Sequence, residues 1–195
     1  MKTTLLAFCM SILGVLHANA QTEIGIEIGQ HLSDYIGQPQ VSNIFSGAYT
    51  TPGLKAGFFL EREVSALINI RTSLFYNFRY LNFPTNDWYP YQGNHCFSLP
   101  IQTIFKAGRI VHFSLGLDPM LLLSEQLPTP QFHLGVCGSM AFRIRKKMRL
   151  SFYLNIDLIP IKLISIPKSH SLIAGVSFAF VFKKMKKRRV IYSPG

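Results

Sequence analysis

Beyond its N-terminus the sequence has no run of about 18 apolar residues, which excludes a helical membrane span after that point. Charged residues are also few. At 15% charged and 48% hydrophobic, with a mean hydropathy of +0.23, the chain is too apolar for disorder, and its 195 residues suit one folded domain. No CxxC or HExxH spacing occurs, and His31, His95, His112, His133 and His170 are scattered, so no metal site is indicated. A phosphate-cradling glycine loop is missing too, and no cofactor is implied. The net charge of +11 invites a nucleic-acid partner, yet Lys183, Lys184, Lys186, Lys187, Arg188 and Arg189 put six of those charges in one short tail. A distributed nucleic-acid surface is therefore not expected.

What the sequence does have is alternation. From Ala66 to Tyr80, Ala66, Ile68, Ile70, Thr72, Leu74, Tyr76, Phe78 and Tyr80 fall on one face, and Leu67, Asn69, Arg71, Ser73, Phe75, Asn77 and Arg79 on the other. Side chains alternate in this way along a strand. A strand tilted at about 45° needs roughly 9–11 residues to cross a bilayer, with an apolar outer face and aromatic residues near the headgroups. Tyr76, Phe78 and Tyr80 fit such a girdle.

The same pattern predicts strands over Gln21–Gly29, Gly53–Glu61, Phe97–Lys106, Ile110–Asp118, Phe132–Ile144, Met148–Leu158 and Leu172–Lys183. Pro100 breaks the Phe97–Lys106 strand, and a local irregularity is expected there. Long connections at His31–Pro52, Leu81–His95, Pro119–Pro130 and Ile159–His170 alternate with short ones at Arg62–Ser65, Ala107–Arg109 and Arg145–Lys147. Eight antiparallel strands with this alternation predict an all-β, up-and-down transmembrane β-barrel, short turns in the periplasm and long loops outside.

Met1 to Ala20, with Lys2, an apolar segment and Ala18-Asn19-Ala20, reads as a secretory signal peptide cleaved before Gln21. The expected organisation is a signal over 1–20, the barrel over 21–182 and a basic tail over 183–195, with both mature termini periplasmic. The uniform apolar face points outward to lipid, and the mixed face of glycine, serine, asparagine and charge fills the lumen. A secreted soluble barrel would invert this. Charges in the lumen must pair. Strand alignment sets Glu27 and Arg71 on either side of Gly57, and a lumenal ion pair is expected. Eight strands leave room only for side chains, so an open diffusion pore is not expected. Cys96 and Cys137 are about six strand residues apart in depth, well beyond the roughly 7 Å that a disulfide tolerates between Cα atoms, and are read as free thiols.

With these strands placed, the mature chain resembles the small outer-membrane β-barrel proteins common in the Bacteroidetes, and more distantly OmpA/OmpX-type barrels. The resemblance covers roughly Gln21 to Phe182. It implies a Gram-negative outer membrane, a surround of outer-membrane lipid and lipopolysaccharide, and the barrel-assembly machinery as a partner, since Phe178, Phe180 and Phe182 look like that machinery's C-terminal aromatic signal. A non-enzymatic structural or surface-binding role is expected, with Trp88, Tyr89 and Tyr91 on the second long loop as binding candidates; these and the apolar Met120–Leu123 and Ile159–Ile166 on the next two read either as partner sites or, the preferred reading, as strand extensions and membrane-rim packing. The alternative is hydrolytic. His112 and Ser114, with Glu125 downstream, are similar to the His-x-Ser…Glu order of outer-membrane lipid A deacylases, in which histidine would activate serine and the carboxylate would orient histidine. This chain departs by carrying Leu115 where that family has asparagine, and by directing the pair into the lumen.

Overall fold

The alternating stretches are extended in the computed structural model, which describes residues 21–36, 51–81, 92–124, 130–158, 161–163 and 166–185. The strands are β1 (Thr22–Ile36), β2 (Thr51–Glu63), β3 (Ile68–Leu81), β4 (Gln92–Ser98), β5 (Ile101–Ala107), β6 (Val111–Ser124), β7 (Gln131–Arg145), β8 (Met148–Asp157), β9 (Ile161–Leu163) and β10 (Ile166–Met185). The strands pair antiparallel in the order β1-β2-β3-(β4, β5)-β6-β7-β8-β10, and β10 returns to pair with β1 from Thr22↔Met185 to Ile36↔His170. With β4 and β5 forming one interrupted strand, the result is a closed eight-stranded barrel. Closure removes the unpaired edges an open sheet would expose. β9 stands off the ring, pairing only with the start of β10.

Proline explains the interruption. At Leu99–Pro100 the ladder loses a donor, yet Phe75↔Ser98 and Thr72↔Ile101 keep one register across the gap. Ser73 N donates to Pro100 O at 3.1 Å, and Leu99 N to Pro119 O at 2.9 Å, which bridges the break on both sides. The irregularity expected at Pro100 is therefore a gap without a slip. Register shifts occur elsewhere, beside Ile24 on the β1–β10 seam and between Arg143 and Arg145 ahead of the tight Lys146–Lys147 turn.

Several boundaries differ from expectation because the strands run further into the long connections. β1 continues through His31 to Ile36, and Met120–Leu123 belong to β6, so they are barrel wall and not loop. At the other end, Ala66 and Leu67 lie in the turn before β3, where Ser65 Oγ accepts from Leu67 N at 3.3 Å and Ile68 N at 3.1 Å. The turn after β5 needs a left-handed residue and has Gly108 at φ 85°. β10 runs from Ile166 to Met185, beyond the Leu172–Lys183 span expected for the last strand at both ends.

The two faces of the wall are inverted relative to a soluble protein. Phe58 is 62% exposed, Leu115 59% and Phe178 56%, while Glu61 is 1% exposed and Arg71 6%. Phe152 and Leu154 are exposed and Asn155 is buried, as the parity requires. On β6 the outward apolar set runs from Phe113 through Leu115 and Leu117 to Leu121, and on β8 from Met148 to Ile156. Each matches the roughly 9–11 residues of a tilted spanning strand. Leu172 departs from the pattern, being buried despite its outward parity.

Candidate functional site in the lumen

The lumen at the short-turn end is built around Arg149. Its guanidinium, buried on β8, bonds Glu61 on β2 through one nitrogen and Glu23 on β1 through the other. Lys184 Nζ reaches Glu23 at 2.8 Å, and Asn69 Nδ2 donates to Glu61 at 2.5 Å. Each carboxylate thus meets more than one donor, which is what a buried charge requires. Phe59, Ala179 and Val181 form a small apolar cluster beside this network, and the Arg71 guanidinium lies 3.9 Å from the Phe59 ring centroid.

One layer further in, Glu27 is the hub. Arg71 Nη2 sits 2.6 Å from Glu27 Oε2, Lys55 Nζ 2.8 Å from Oε1, and Ser177 Oγ donates to Oε1 at 2.7 Å. Arg71 stands opposite Glu61 on the ladder and not opposite Gly57, so its long side chain reaches across the slanted strands to Glu27. Gly57, opposite Glu27, has no space for a side chain: a Cβ there would lie 2.0 Å from Leu74 O. Lys55 also packs over the Tyr153 ring at 3.6 Å and the Phe75 ring at 4.5 Å.

Toward the long loops the lumen changes character. Asn155 Nδ2 donates to Asp118 Oδ2 at 2.5 Å, Asn77 Nδ2 to Ser98 Oγ at 3.0 Å, and Arg79 Nη1 to Ser171 Oγ at 3.3 Å. Ser33 and Thr51 hydroxyls are 2.9 Å apart, and Tyr153 Oη is 3.3 Å from His31 Nδ1. Between Glu27, Arg79, Asp118 and Asn155 the central void is only about 50 Å³, room for a few waters at most.

The hydrolytic candidates are placed in this lumen as well. His112 is 3% exposed, and Ser114 Oγ is 2.7 Å from Ser139 Oγ, so the serine's close partner is another hydroxyl. His112 has no hydrogen bond to Ser114, and Glu125 lies outside the described residues. Trp88, Tyr89 and Tyr91 lie outside them too, as do Met1–Ala20. Cys96 and Cys137 are both buried and unbridged, and no metal-holding cluster occurs among the described residues.

No family model and no curated protein matches this sequence. Solved structures do. The chain is similar to Ail, the attachment invasion locus protein of Yersinia pestis, at 12% identity over 84% of this chain and 99% of that one, with a TM-score of 0.48. Neisserial surface protein A aligns at 11% identity over 85% and 98%, TM-score 0.49. The N-terminal β-barrel domain of Pseudomonas aeruginosa OprF aligns at 12% over 85% and 98%, TM-score 0.42. The barrel assignment itself stands on the closed ladder and the inverted faces described above.

Arg149 was not singled out from the sequence, although it appears there among the lumen-facing charges. Strand parity gives its side of the wall, but its partners lie on β1 and β2, which come near β8 only through the β10 seam. Lys55 and Ser177 as co-ligands of Glu27 were missed for the same reason.

Proposed function

We propose that the chain is an integral protein of the bacterial outer membrane, non-enzymatic, with a structural or surface-binding role and no open diffusion path. The observation that carries this reading is the inverted wall: an apolar belt faces out while Glu23, Glu27 and Glu61 are ion-paired with Lys55, Arg71, Arg149 and Lys184 inside. A barrel immersed in lipid gains from that arrangement, since the strands are laddered on both sides around the closed ring and the exposed belt needs an apolar solvent. In this reading the short turns and both termini of the barrel face the periplasm, the long connections face outward, and recognition belongs to the latter. The plugged lumen supports a wall or anchor function over transport.

The test is fractionation combined with a permeability assay. The protein is expected in the outer-membrane fraction, to migrate as a compact species in detergent gels until boiled, and to leave liposomes impermeable to small sugars. Recovery in the soluble periplasm would defeat the membrane reading, and sugar flux through the purified barrel would defeat the closed-lumen one.

A further inference from the structure

At the short-turn mouth, above the Arg149 network, a cavity of about 410 Å³ opens between Gln21, Glu63, Lys106, Arg109, His112 and Arg143. Its acidic residues are already engaged: Glu23 and Glu61 by Arg149, Glu23 also by Lys184, and Glu63 by Lys106 at 3.2 Å. Two of its basic residues, Lys106 and Lys184, are taken up in those pairs, and two are not. Arg109 and Arg143 make no side-chain ion pair or hydrogen bond among the described residues, and Arg143 Nε is buried without a partner. His112 is 3% exposed, and its Nδ1 has no partner either.

The ladder brings these groups together. His112 pairs with Ala141, so Arg143 is the next lumen-facing position toward the turn, and the two are diagonal neighbours about 7–8 Å apart. Arg143 N donates to Ile110 O at 2.8 Å, fixing β7 to the turn that carries Arg109. Donors therefore converge from two strands and one turn on a space lined by surplus positive charge. The Arg109 and Arg143 guanidiniums line this space with no carboxylate of their own, and an occupant with several acceptor oxygens would supply the missing partner. A guanidinium fork matches such an oxyanion in two places at once.

We propose that this mouth is a binding site for a phosphate-class oxyanion, held by Arg143 and His112 with Arg109 closing over it. The group is either free phosphate or the phosphate of a lipid headgroup from the adjoining leaflet.

The experiment uses the refolded barrel in uncharged maltoside micelles, titrated calorimetrically with inorganic phosphate and, at matched ionic strength, with chloride. One saturable phosphate site is expected. Arg143→Gln should weaken it by about tenfold or more, the loss of one charge-assisted contact, and His112→Phe by a smaller factor. Arg145→Gln, on the exposed side of the same strand end, should leave affinity within about twofold. Heat-modifiable migration confirms that each variant is folded. A signal that follows ionic strength without saturating, or equal affinity in the Arg143 and Arg145 variants, overturns the site. Repeating the titration in phosphatidylglycerol nanodiscs separates the sources: unchanged affinity assigns the site to dissolved phosphate, and a drop of about tenfold or more assigns it to a competing headgroup.

Discussion

The two halves of the lumen are stabilised differently. Near the short turns, carboxylates are clamped by arginine and lysine, with Arg149 joining β8 to β1 and β2 and Glu27 joining β1 to β2, β3 and β10. Near the long connections, the described contacts set one charged group against an amide or hydroxyl, as in Asn155 to Asp118 and Arg79 to Ser171, or join two neutral groups, as in the hydroxyls of Ser33 and Thr51. A full charge on each side gives a contact roughly twice as strong as a neutral one, and one whose loss strands a buried ion. The short-turn half is thus the mechanical anchor of the ring, while the other half can vary its contacts at lower cost.

The comparison is broken most severely at Arg149. Arg149→Met should destabilise the barrel by about 3–5 kcal/mol, because Glu23 and Glu61 lose their shared counter-charge together. Urea unfolding in micelles measures it, and a loss no larger than that of a surface substitution would show the anchor to be illusory. Next comes Arg71→Met, expected at about 2–4 kcal/mol, less than Arg149 because Lys55 and Ser177 remain on Glu27. Combining it with Glu27→Gln should cost less than the sum of the singles, since the pair is one interaction.

In the other half, Asn155→Leu removes a single amide from Asp118 and should cost about 1–3 kcal/mol. A cost above that of Arg149→Met would reverse the proposed order of the two halves. Smallest is Ser114→Ala, which deletes one hydroxyl pair with Ser139 and should change stability by about 1 kcal/mol or less. Lipid A acylation is expected to be unchanged in that variant, as judged by mass analysis of lipopolysaccharide; altered acylation would restore the hydrolase reading.

Much of this architecture was legible because strand parity is a local code. Leu115, Phe152 and Phe178 declared the outer face and Asn69, Arg71 and Asn155 the inner one with no knowledge of neighbours. Extents were less legible, since nothing in the composition of Met120–Leu123 separates a membrane-rim strand from an apolar loop, and the structure gives them to β6. Pro100 pointed to an irregularity, but whether the register slips there depends on both adjoining strands, and the ladders on each side hold it in place.

By itself the sequence determined the number of barrel strands, the alternation of long and short connections and which side of the wall most strand residues face, all consequences of a period of two along one chain. Only the closed tertiary structure decided which charges meet. Arg149 finds Glu23 and Glu61, and Arg71 finds Glu27, because the strands slant and the last one joins the first, a relation among distant segments that no local pattern encodes.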